Sequence, residues 1–166
     1  MSKTKSDNKR RPDHLVSPFA LIRISAILTV LLMLGHLWGY PWASTRDPLE
    51  TQLVDTMHSV DFVFLGERST YWNLYFGFGV LIAVLLLTLA IVLWLLSDLA
   101  SVAPQRLGVM IGIISASCLF GAYLSFRFFY IPPFLTFLVI CVLLSAAAVQ
   151  LLRRQTHRDT TGEALS

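Results

Sequence analysis

Charge is scarce in this chain. Only 14% of its 166 residues are Asp, Glu, Lys or Arg, and 55% are hydrophobic, whereas soluble domains carry about 25% and about 45–50%. A soluble core of this length has no room for that surplus, so lipid is the missing partner. Cysteine is nearly absent. Its two representatives, Cys118 and Cys141, fall inside apolar stretches where oxidants do not reach, which argues against a disulfide and leaves them as small buried hydrophobes. A third absence says most about function: no Asp, Glu, Lys, Arg or His lies at the centre of any long apolar stretch. Proton pumps, ion-coupled transporters and bis-histidine haem proteins need such groups at depth, so these classes drop out and no cofactor is expected. Zinc-type His/Cys spacing is missing too. Asp55 and His58, three apart, joined by His36 or Asp61, are too few and too irregular to predict a metal site.

What is present are four apolar stretches, about 19–38, 71–96, 107–126 and 131–152, each close to the ~20 residues that a helix needs to cross a bilayer. They predict an all-α fold, a four-span transmembrane antiparallel helical bundle. Residues 1–17 form a basic tail without helical periodicity, 18–152 the membrane domain with an outer loop over 41–70, and 153–166 a second tail. The formal net charge of +3 is distributed by side. Lys3, Lys5, Lys9, Arg10, Arg11, Arg106, Arg153, Arg154 and Arg158 fall on one face of the membrane. Arg46, Arg68 and Arg127, with Asp47, Glu50, Asp55, Asp61 and Glu67, fall on the other. The positive-inside rule therefore predicts a multi-pass protein of the cell (inner) membrane with both termini cytoplasmic, and it removes the nucleic-acid reading of the basic balance. The first span is too long for a signal peptide, and Pro41 spoils the nearest small-residue cleavage site, so an uncleaved span is expected. Near its start Arg23 can snorkel to the headgroups. Trp38, Tyr40 and Trp42 are an interfacial aromatic cluster at its other end, where Pro41 stops the helix.

The outer loop carries its own start signal. Asp47-Pro48-Leu49-Glu50 combines an acidic cap, proline at the first helical position and an early glutamate, and Leu53, Met57, Val60 and Phe64 follow at helical spacing. This predicts a short extracytoplasmic amphipathic cap helix over about Pro48 to Val60, with Thr51, Asp55 and His58 on its wet face and Gly66 closing it. Ser69 or Thr70 should cap the next helix. In the third span Gly108, Gly112 and Ala116 make one row of small residues, and Ser117, Gly121 and Ser125 another. Both read as packing faces, as does 145–148 in the fourth span. Pro132 and Pro133 suit that helix's first turn.

Groups able to bind or react gather at the outer ends of the spans. His36, Asp61, Glu67, Arg68, Trp72, Asn73, Tyr75 and Arg127, with Tyr130 beside them, would ring one opening in a compact bundle, as aromatic walls and convergent polar groups do in small-molecule sites. The plainer alternative is an ordinary belt of interfacial Trp, Tyr and Arg. The first expectation is a protein that binds a small or lipidic ligand, or a membrane protein partner, at this face. A second is an enzyme acting on a lipid or isoprenoid, with His36 as acid/base beside Glu67 or Asp61. A third is a structural subunit docked through the small-residue rows.

The run Gly35-His36, Met57, Phe64-Leu65-Gly66-Glu67-Arg68-Ser69 and Tyr71-Trp72-Asn73-Leu74-Tyr75-Phe76-Gly77-Phe78-Gly79 resembles small uncharacterised bacterial four-helix membrane proteins, loosely akin to the DoxX-like group. The motifs cover about the first half of the chain, and helix count covers the rest. The resemblance implies a four-helix bundle in the cell membrane and an accessory place in a membrane redox complex. It assigns no catalytic residue.

Overall fold

A computed structural model describes residues 16–39 and 47–163, with side chains as far as Arg153. The expectations for the basic segment before residue 16, and for Tyr40, Pro41 and Trp42, lie outside the described residues. Helix α1 (Pro18–Gly39) is followed by α2 (Pro48–Ser59), strands β1 (Asp61–Phe64) and β2 (Glu67–Thr70), then α3 (Tyr71–Asp98), α4 (Pro104–Phe128) and α5 (Ile131–Glu163). Four helices are long and apolar enough to cross a membrane: α1, α3, α4 and α5 as far as Arg153. Only a third of each apolar span is buried within the protein. The remaining apolar surface, including Leu85, Leu95, Ile113 and Phe120, needs lipid around it. This is a multi-pass membrane protein in contact with bilayer lipid.

The capping chemistry follows the sequence. Asp47 accepts a hydrogen bond from the Leu49 amide at 2.9 Å, with Pro48 in the first turn of α2, and Thr70 accepts from the Asn73 amide at 3.2 Å to start α3. Two boundaries differ. Helix α2 ends at Ser59, with Val60 already extended, so Val60 and Phe64 are not part of its stripe and Gly66 does not close it. The β-branched and aromatic run from Val60 to Phe64 favours a pleated backbone, and pairing with residues 67–70 gives its amides partners. At the other end of the chain α5 continues to Glu163, beyond the expected end of the span. A helix leaving the bilayer no longer needs apolar residues, and Arg153, Arg154 and Gln155 are good helix formers.

In the bundle α1 packs against both α3 and α5, and α5 packs against α4, giving the order α3–α1–α5–α4. All these neighbours run antiparallel. Helices α3 and α4, although joined by the short turn over 99–103, make no close backbone approach of comparable extent. The core runs through Ile22 and Ala26 of α1, Leu93 of α3, Ile111 of α4, and Leu144 and Ala147 of α5. Among the described residues no buried polar side chain lacks a partner. Ser25 and Thr29 donate to carbonyls one turn back in α1, and Ser115 Oγ donates to the Cys141 carbonyl at 2.9 Å while lying 2.8 Å from Ser145 Oγ.

The buried face of α4 is Leu107, Gly108, Ile111, Ser115, Cys118, Ala122 and Ser125, which takes Gly108 from one expected row and Ser125 from the other and otherwise runs between them. Ala116 and Ser117 are exposed to lipid. The 3.6-residue period turns a strict four-residue row away from its neighbour, so alternating steps of three and four stay in contact. Cys118 and Cys141 are free thiols buried in this interface, as packing residues should be.

Close approach at α4/α5 is local. A Cβ on Gly108 would lie 3.0 Å from Leu152 side-chain carbons, whereas one on Gly112 meets nothing within 4 Å. Gly108→Val should cost about 1–3 kcal/mol by overpacking, and Gly112→Val should stay within about 0.5 kcal/mol, read as detergent melting curves. Equal losses at both positions would contradict this packing.

Candidate functional site

The residues singled out at one end of the bundle fall into separate groups. Strands β1 and β2 pair antiparallel, Phe64 opposite Glu67 and Asp61 opposite Thr70, so Leu65 and Gly66 form a two-residue turn. Both have positive φ, 52° and 90°, the pattern of a type I′ hairpin turn. Within the hairpin Arg68 pairs with Asp61 at 3.5 Å, and Glu67 is exposed beside it. At its base the His58 and Trp72 rings stack with centroids 4.4 Å apart, Trp72 leans on Tyr75 at 5.8 Å, and Phe62 packs on Tyr71. His58 is therefore held against an aromatic ring rather than simply presented to water. Asn73 serves through its backbone amide, in the cap of α3.

His36 belongs to a different arrangement. Its Nε2 donates to the Gly79 carbonyl at 2.9 Å, using a second lone pair of a helix carbonyl to tie the end of α1 to α3. Arg127 sits at the end of α4, in the helix furthest from α3 in the packing order, with its guanidinium 5.6 Å from the Phe128 ring centroid. Tyr130 reaches the end of α1, where its hydroxyl would lie 3.9 Å from a Cβ on Gly39. The structure thus joins Asp61 to Arg68 and Trp72 to Tyr75, and holds His36 and Arg127 in other contacts. Among the described residues no group of three or more His, Cys, Asp or Glu side chains could hold a metal.

The opposite end of the bundle carries a cluster that sequence reasoning did not assemble. Arg23 of α1 donates through Nε to Ser97 Oγ and through Nη2 to Asp98 Oδ1, both at 3.2 Å, at the end of α3. Its guanidinium lies 4.2 Å from the Phe19 ring centroid and 4.4 Å from that of Trp94. Instead of snorkelling alone, Arg23 is held by an antiparallel neighbour. Beside it a cavity of about 310 Å³ opens between the start of α1, at Ser17 and Phe19, and the end of α3, at Ser97, Asp98 and Ser101. A sequence signal existed. Asp98 is the last residue of α3, where an anion is disfavoured, and Arg23 is a cation in the second turn of an apolar helix, which points to partners elsewhere.

No protein-family model, curated protein or solved structure matches this chain.

The hairpin is the strained part of this region. A left-handed backbone costs an ordinary L-residue about 1–2 kcal/mol, and Asn much less. Leu65→Asn should therefore stabilise the hairpin by about 1 kcal/mol, seen as about fivefold slower amide exchange over residues 61–70. Arg68→Ala should cost under about 1 kcal/mol, because the pair with Asp61 is largely exposed. Faster exchange in Leu65→Asn would show that the leucine, despite its φ, supports the turn.

Proposed function

We propose that the chain is a non-enzymatic protein of the cell (inner) membrane, with both termini in the cytoplasm, whose extracytoplasmic helix and hairpin dock a partner protein. One observation carries the reading. Leu65 adopts a left-handed backbone while its side chain is 90% exposed, flanked by Phe64 and Val63, themselves about two-thirds exposed at 67% and 65%. Asn or Gly makes such a turn at lower cost. A leucine that is both strained and solvated contributes nothing to the fold it sits in, so its value lies in what the tip touches.

Protein suits that tip better than lipid. Asp61, Glu67 and Arg68 lie on the same short hairpin, and three charges within one strand length of an apolar tip oppose immersion in hydrocarbon. They suit the rim of a protein interface, with the apolar tip as its centre. Trp72, Asn73 and Tyr75 then form the base that holds the hairpin on α3, and His36 and Arg127 take no direct part. A place as accessory subunit beside a larger membrane complex, the role implied by the DoxX-like resemblance, is compatible with such a tip.

A benzophenone side chain introduced at Phe64 should, on irradiation of intact membranes, yield a discrete protein adduct. Leu65→Asn should reduce that adduct about tenfold, since losing a buried interface anchor costs upward of about 2 kcal/mol. Adducts with lipid alone would overturn the docking reading.

A further inference from the structure

We infer that the cavity at the end of the bundle away from the hairpin is a headgroup site for a zwitterionic, primary-amine phospholipid of the phosphatidylethanolamine kind. This goes beyond the docking reading and does not depend on it. The cavity is bounded by the first residues of α1 and the last of α3, both helices of membrane-spanning length, which puts it at the level of the headgroups. Its volume, about 310 Å³, is at the small end of ligand pockets and suits a headgroup rather than acyl chains.

Asp98 lines the cavity, and the guanidinium of Arg23, with its side chain a third exposed, borders it through its bonds to Ser97 and Asp98. Arg23 is sandwiched near Phe19 and Trp94 and spends only Nε and Nη2 on Ser97 and Asp98, leaving guanidinium donors for a phosphate. Asp98, with its side chain 58% exposed, gives Arg23 a single oxygen and keeps acceptor capacity for an ammonium. The helix ends reinforce the same polarity. The positive pole of α1 and the negative pole of α3 lie side by side here, with Ser17 and Ser101 between them. A phosphate and an ammonium joined by two carbons can address both poles at once. An anionic headgroup lacking the amine leaves the remaining acceptor capacity of Asp98 unused, and a choline headgroup has no N–H to give it.

The test uses the full chain in detergent, stripped of lipid and then given back single lipids, with retention read by native mass spectrometry. Phosphatidylethanolamine should be retained about tenfold better than phosphatidylcholine or phosphatidylglycerol, the worth of one charge-assisted bond. Stepwise N-methylation of the lipid, which needs no protein variant, should lower retention at each step. Asp98→Asn should erase the preference over phosphatidylcholine, and Arg23→Lys, which keeps the charge but loses the fork, should weaken retention of every lipid. Soluble O-phosphoethanolamine separates the two sources of this chemistry: competition by it assigns the site to the headgroup alone, and failure to compete assigns it to the intact lipid. Equal retention of phosphatidylcholine or phosphatidylglycerol, displacement by inorganic phosphate as readily as by O-phosphoethanolamine, or an unchanged preference in a folded Asp98→Asn protein would each overturn the assignment.

Discussion

Two apolar helices in hydrocarbon slide past one another at little cost, because lipid tails surround leucine as well as another leucine does. What sets the register of α1 against α3 is therefore polar. At one end Arg23 binds Ser97 and Asp98, and at the other His36 binds the Gly79 carbonyl. These two residues of α1 are thirteen positions apart, about 20 Å along a helix, so the pair is fastened near both membrane surfaces and left apolar between. A slip of one turn would break both attachments together. The rest of the molecule is referred to this pair: α2 and β2 rest on α3, and α5 lies against α1 and carries α4.

The second helix pair is joined by other means. Helices α4 and α5 meet through small residues, with Gly108 against Leu151 and Leu152 and Gly121 against the Phe137 ring, and through Ser115 reaching Cys141 and Ser145. Hydrogen bonds of this kind contribute about 0.6 kcal/mol each in membranes, so shape contributes more than polarity here. The two cysteines belong to this seam. They are buried there, Cys141 beside the Ser115 hydroxyl, and serve as small packing side chains.

Spans, antiparallel topology and helix starts were legible because each rests on local chemistry: apolar length, proline in a first turn, an aspartate or threonine cap. The hairpin was not. Val60 and Phe64 continue the helical spacing of Leu53 and Met57, yet with Phe62 between them they also alternate as a strand does, and the turn lacks the Asn-Gly that marks such hairpins. Leu65 hides the turn in the sequence, just as its strain draws attention to it in the structure. The candidate site was legible in parts. Asp61 with Arg68 and Trp72 with Tyr75 are close in sequence and meet, whereas bringing Arg127 to them presumed a closed ring of helices. The packing order puts α4 at the far edge instead.

Arg23 and Asp98 were out of reach of local reasoning for a different cause. They are 75 residues apart, and each alone breaks a rule. An anion in the last turn of α3 opposes the dipole of its own helix, and a cation in the second turn of α1 stands inside an apolar span. Antiparallel pairing reverses the sign of that interaction. It sets Arg23 beside the negative pole of α3 and Asp98 beside the positive pole of α1, so each charge is favoured by the helix it meets. In a chain with so few charges near its membrane centres, two that offend local preference and satisfy each other across an interface specify which helices must be neighbours. The cavity lies at this same end, lined by Ser17 and Phe19 of one helix start and Ser97 and Asp98 of the other helix's end.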